Sequence, residues 1–121
     1  MSLSTLKAFD TPAPSFVVNK PFPKDFLSIA DLTTEQSEVL FALAAETKSK
    51  PSKYVGALAS KQVALLFEKP SLRTRVSFEA GVNKLGGHTL FLDHKEQRIG
   101  AREAIEDYAK NLERWIDVIV A

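Results

Sequence analysis

From Gln62 onward the chain alternates short apolar runs of strand length with stretches of helical spacing: strands over 62–67, 88–92 and 118–121, helices over 71–85 and 102–115. Parallel strands cannot be joined by a tight turn. A chain with this alternation therefore folds as βαβ units with right-handed crossovers onto a parallel sheet. The fold class is α/β, a parallel sheet with flanking helices. Ligands of such sheets sit beyond the carboxyl ends of the strands. The segment 71–75 stands at one such end and 93–100 at the next, so the two are placed to line one cleft.

Ahead of the alternation, residues 1–23 contain Pro12, Pro14, Pro21 and Pro23, each of which removes a backbone donor and resists helix. They predict an extended arm. A competing reading pairs Phe16, Val17 and Val18 as an edge strand. Thr33 followed by Gln36 resembles a capping box, and a helix should follow it. Leu40, Leu43 and Ala44, with Val39 and Ala42, give that helix an apolar stripe; Glu35, Glu38, Glu46 and Lys48 form its solvated face, and Pro51 closes it. Residues 24–121 are read as one small domain.

At 121 residues with 45% hydrophobic content the chain can bury a core, and its net charge of +1 argues against a nucleic-acid surface or a polybasic membrane anchor. The absence of cysteine removes disulfides, thiolate metal sites and cysteine nucleophiles, and fits a reducing cytoplasm. No secretory pattern opens the sequence and no apolar run reaches bilayer length, so a soluble cytoplasmic protein is expected. The final run, 116–121, reads as a buried strand with no cap or covering helix after it. Three strands with three helices also leave sheet surface uncovered, so a fragment of a longer protein, or self-association, is expected.

The segment 67–75, Phe-Glu-Lys-Pro-Ser-Leu-Arg-Thr-Arg, carries the chemistry. It places the hydroxyls of Ser71 and Thr74 and the guanidinium groups of Arg73 and Arg75 where a buried strand turns into a helix. There the first amide N–H groups lack partners and the helix dipole favours negative charge. A phosphate satisfies both. The plainer reading is an N-cap whose arginines pair with Glu68 and Glu79, and Arg75 is the weaker anion ligand because Glu79 stands at i+4. His88 and His94 are badly spaced for a metal pair, and no metal is expected; His88 instead suits a hydrogen bond at the strand start after the Gly86-Gly87 helix stop. Glu106 and Asp107 are adjacent on a helix and point different ways, Asp107 being structural, and Trp115 is read as core with Leu112 and Ile116. No Gly-rich loop ending in Gly-Lys is present, which disfavours a nucleotide hydrolase.

The run 67–79, with Leu85-Gly86-Gly87-His88 after it, closely resembles the amino-terminal half of the carbamoyltransferases, and within that family the ornithine branch. Glu68-Lys69-Pro70-Ser71 and Leu85-Gly86-Gly87-His88 are typical of that branch. The resemblance runs from Phe26-Leu27-Ser28 through residues 99–107 to Asp117-Val118-Ile119-Val120-Ala121. It implies an enzyme that moves a carbamoyl group from carbamoyl phosphate to the side-chain amine of L-ornithine, giving citrulline and phosphate in arginine biosynthesis, without a cofactor. It also implies a homotrimer with sites between subunits. By the same resemblance Ser71, Leu72, Arg73 and Thr74 hold carbamoyl phosphate, with Arg73 and Thr74 stabilising charge on the leaving phosphate and the carbonyl oxygen.

Two departures stand out. Leu72 replaces the usual threonine and removes one hydroxyl from the cradle, at a cost of about 1 kcal/mol, while leaving the backbone N–H. Arg98 stands where the family commonly has glutamine or histidine, in a loop that reaches a neighbouring subunit's site; it would add positive charge there, with Gln97 the weaker candidate. The family's further arginine, histidine and glutamine, and its ornithine domain, come after the position of Ala121, so this chain alone should be inactive. Two alternatives stay open: a non-catalytic phosphate-binding or assembly module from a truncated paralogue, and a carbamoyltransferase acting on another amine.

Overall fold

The structure is a computed structural model and describes residues 18–69, 71–94 and 99–121. Pro12, Pro14, Phe16, Val17, Pro70, Gln97 and Arg98 lie outside the described residues. The described residues up to Tyr54 form one unit and Val55–Ala121 a second.

In the first unit, α1 spans Thr34–Ser49 and begins with the expected capping box. The Thr33 hydroxyl accepts the Gln36 N–H at 3.2 Å and the Gln36 side-chain oxygen accepts the Thr33 N–H at 2.8 Å. Gln36 is 1% exposed, and its amide nitrogen donates to the carbonyls of Lys20 and Pro21, so a buried polar side chain is fully used. Described residues 18–23 are neither helix nor strand. A second capping box, unforeseen from the sequence, joins Ser28 and Asp31 around a one-turn 3-10 helix, Ile29–Asp31. Leu40 and Leu43 are half-buried, but Ala44 is exposed. Nor does Glu46 belong to the solvated face as expected: the 3-10 turn Pro51–Tyr54 brings Lys53 within 2.6 Å, and this hydrogen bond holds the Glu46 carboxyl below the usual carboxylate range.

The second unit carries the alternation. β1 is Gln62–Phe67, α2 Leu72–Lys84, β2 His88–Asp93, α3 Ile105–Leu112 and β3 Val118–Val120. Among the described residues these strands form one parallel sheet, ordered β2-β1-β3. The central strand is the most buried, with Val63, Ala64 and Leu65 at 4%, 0% and 0% exposure. Val63 and Leu65 pack with Val82 of α2, and Leu58, Phe67, Phe91, Val118 and Val120 close around them. Full burial of one such side chain stabilises the fold by roughly 1.5–3 kcal/mol.

α2 stops in a Schellman motif: Gly86 N–H donates to the Asn83 carbonyl at 3.1 Å and Gly87 N–H to that of Val82 at 3.0 Å. Gly86 takes the required left-handed conformation, φ 85°. A Cβ at Gly87 would meet Val82 Cγ1 at 2.9 Å, so the second glycine is needed for space. His88 then joins the sheet region through its backbone N–H, 2.9 Å from the Lys61 carbonyl, with its side chain exposed.

α3 is shorter than the predicted 102–115. The Leu112 carbonyl accepts from both Trp115 and Ile116, which closes a turn after Leu112. Trp115 therefore falls in that turn, outside the half-buried stripe of Tyr108 and Leu112, and is 67% exposed. It is not a core residue.

Candidate functional site

The first bond inside α2 runs from the Arg75 N–H to the Ser71 carbonyl, 2.9 Å, so the amides of Leu72, Arg73 and Thr74 precede it and face no carbonyl of their own helix. Ser71, the N-cap residue, makes no side-chain cap bond. Its hydroxyl donates instead to Thr74 Oγ1 at 2.7 Å. The Thr74 proton is thereby left to donate elsewhere, and the turn presents amides and hydroxyls together.

A cleft of about 520 Å³ opens beside this turn. Leu66, Phe67, Glu68 and Lys69 bring the end of β1 to it, and Ser71 and Thr74 the start of α2. Among the described residues Ile99 and Ala121 complete the lining, from the loop after β2 and from the residue after β3. The chain leaves β1 toward β2 on one side and returns to β3 on the other, so the carboxyl end of β1 is the switch point at which open α/β sheets hold ligands. The expected meeting of the two loops is realised through Ile99.

The other candidates fall as follows. Leu72 is 76% exposed, and Arg73 is exposed on the same first turn but is not part of the cleft lining. Arg75 donates through Nε to Glu79 at 2.9 Å and lies 3.8 Å over the Phe91 ring, so its guanidinium is used in packing α2 to β2. Gln97 and Arg98 lie outside the described residues. Glu106 and Asp107 are both exposed in the first turn of α3, where carboxylates complement the dipole. Among the described residues no group of three or more His, Cys, Asp or Glu could hold a metal ion. His94 Nε2 lies 3.0 Å from the Tyr108 hydroxyl, and burial, then Glu103, pushes that phenol's pKa up.

Sequence reasoning did not assign Glu68, Lys69 and Ala121 to the cleft, although their position just past strand ends was a usable signal, and it offered Ile99 only as part of the loop 93–100. It also missed Asp117. This carboxylate accepts the Gln62 N–H at 2.8 Å and the Lys61 ammonium at 2.9 Å, while its own N–H donates to the Gln62 carbonyl at 2.9 Å. The amide first, then the ammonium, hold its pKa below the usual range. Asp117 thus ties the start of β3 to β1, and β3 leads to Ala121 in the cleft. No described helix is long and apolar enough to cross a membrane.

Residues 24–121 match the family described as aspartate/ornithine carbamoyltransferase, carbamoyl-P binding domain. The ornithine carbamoyltransferase of Shewanella oneidensis is 53% identical over 98 residues, 81% of this chain and 33% of the relative. The crystal structure of ornithine carbamoyltransferase from Thermus thermophilus is 43% identical with a TM-score of 0.72, over 81% of this chain and 34% of that one. An N-acetyl-L-ornithine transcarbamylase variant, solved with carbamyl phosphate and N-succinyl-L-norvaline, is 33% identical with a TM-score of 0.71, over 79% of this chain and 32% of that one. The chain spans about a third of the length of the relatives it matches. With the matched residues reaching across both strand ends and the helix start that frame the cleft, this chain belongs to the aspartate/ornithine carbamoyltransferase family, in its carbamoyl phosphate-binding domain.

Proposed function

We propose that this chain supplies the carbamoyl phosphate half of an ornithine carbamoyltransferase, with residues 24–121 as the binding domain and 1–23 as an arm. The observation that carries the reading is the open cleft at the end of β1, walled by Ser71 and Thr74 beside three amides that α2 leaves without helical partners. The substrate's phosphate accepts from those amides and from the Ser71 hydroxyl, whose single proton turns from Thr74 to the ligand on binding, and Arg73, on the same turn, compensates the charge that grows as phosphate departs. The Thr74 hydroxyl, held 2.7 Å from that of Ser71, donates to the carbonyl oxygen while the amine attacks the carbonyl carbon. No covalent nucleophile takes part. Arg98, and more weakly Gln97 and Arg75, add positive charge; Leu72 contributes its amide. L-Ornithine, homotrimeric assembly in the cytoplasm and a role in arginine biosynthesis belong to the same proposal. The relative named as an N-acetyl-L-ornithine transcarbamylase supports keeping another amine open.

A non-catalytic phosphate module is the second reading, favoured by the exposure of Arg73 outside the cleft lining. Titrating the chain with carbamoyl phosphate, alone and as Arg73→Ala, tests the site: a loss of affinity of about tenfold or more is expected for one charged hydrogen-bonding group. Unchanged affinity would remove Arg73 from it. Citrulline formation by the complete reading frame supports the enzyme, and binding without turnover supports the module.

A further inference from the structure

The lining of the cleft divides by chemistry. Among the described lining residues Ser71, Thr74 and Lys69 carry donors for a phosphate, Glu68 carries a carboxylate, and Leu66, Phe67, Ile99 and Ala121 carry apolar side chains. Among the described lining residues Ile99 is the member that comes from a loop rather than from a strand end or helix start, so its place needs a separate cause. Gly100, next to it, has φ 83°, a conformation that a residue with a Cβ adopts only at a cost. A Cβ at 100 would also sit 3.0 Å from Ile105 Cγ1 and 3.3 Å from Cδ1. The loop is thus seated against the first residue of α3 in a way that glycine allows without strain and a residue with a Cβ allows only at a cost.

We propose that Ile99 reads the uncharged end of the phosphorylated ligand and that Gly100, packed on Ile105, positions it. The inference rests on the carbamoyl phosphate reading and goes beyond it in assigning selectivity to an apolar side chain. Once the phosphate is met by hydroxyls and amides, the flat face of a neutral acyl group is left for the apolar lining. A charged oxygen in the same place would lose solvation with no partner. Inorganic phosphate has no such uncharged end, so the ratio of the two affinities isolates the contribution of Ile99.

The test measures binding of carbamoyl phosphate and of inorganic phosphate to the whole chain and to Ile99→Ala, Ile99→Leu, Gly100→Ala and Gly100→Ala with Ile105→Ala. For Ile99→Ala, carbamoyl phosphate should weaken about tenfold, the scale of removing one packed apolar group from a pocket, with inorganic phosphate unchanged as a control for folding. Ile99→Leu should keep most of the ratio. Gly100→Ala should lower it, and removing the Ile105 side chain should restore part. Equal weakening of both ligands, or an unchanged ratio in Ile99→Ala, overturns the proposal while leaving the phosphate site standing. Failure of the unaltered chain to bind either ligand sinks the phosphate reading itself and this proposal with it.

Discussion

The Ser71 hydroxyl donates to the Thr74 hydroxyl at 2.7 Å and caps none of the amides of the helix it begins. Thr33, at the start of α1, does the opposite and accepts the Gln36 N–H. Two hydroxyl N-caps in one chain are therefore used for different ends, one for a helix and one facing a cleft.

That contrast gives the first prediction. Thr33→Ala should destabilise its helix by about 1 kcal/mol, the usual cost of a lost cap. Ser71→Ala removes no cap bond and should change stability by less than about 0.5 kcal/mol, since the lost bond joins two exposed hydroxyls. Its effect should appear instead as weaker binding of phosphate. Chemical denaturation and a phosphate titration on each variant check both statements; a stability loss in Ser71→Ala as large as in Thr33→Ala would contradict them.

Much of this arrangement was legible in the sequence because it is written locally. The six-residue run Gln62–Phe67 with its five apolar side chains, the capping box at Thr33 and the Gly86-Gly87 stop each depend on a handful of neighbours, and each holds. The cleft was half legible: Ser71 and Thr74 follow from the motif, but Ile99 reaches it only through a glycine turn whose φ no periodicity reveals. Trp115 was misread because helical spacing does not show where a helix ends when a carbonyl, that of Leu112, takes both following amides. Arg75 shows the reverse case, since the plain i,i+4 reading with Glu79 is realised and the Phe91 ring beneath it was not foreseen.

The glycines of α2 supply a paired prediction. Gly81 lies inside the helix with nothing within 4 Å of an added Cβ, so Gly81→Ala should raise stability by about 0.5–1 kcal/mol. Gly86 has φ 85°, and a Cβ there would lie 2.6 Å from the Val55 carbonyl oxygen. Gly86→Ala should cost about 2 kcal/mol, since left-handed backbone alone costs about 1–2 and the facing atom is backbone that cannot swing aside. Midpoints of thermal unfolding should therefore move in opposite directions for the same chemical change. A shift of the same sign in both would show that the close approach of Val55 does not govern this turn.

Asp117 sets the pH dependence of the sheet. Its carboxylate accepts from the Gln62 N–H and the Lys61 ammonium, and both lower its folded pKa, the amide more than the ammonium. A carboxyl whose folded pKa lies below its unfolded value of about 3.9 adds stability that is complete above that value and is lost as pH falls through the folded one. With its side chain 30% exposed the ion pair is partly screened, so Asp117→Ala should cost only about 1 kcal/mol near neutral pH, mostly through the amide left without its acceptor. The difference between the two proteins should hold from pH 7 to about pH 5 and shrink below that. Lys61→Met should lose less than Asp117→Ala, because it leaves the Gln62 bond in place. Denaturation curves across this range decide the matter: a difference that grew as pH fell would mean that the carboxyl is protonated in the folded chain and that the clamp between β1 and β3 is not ionic.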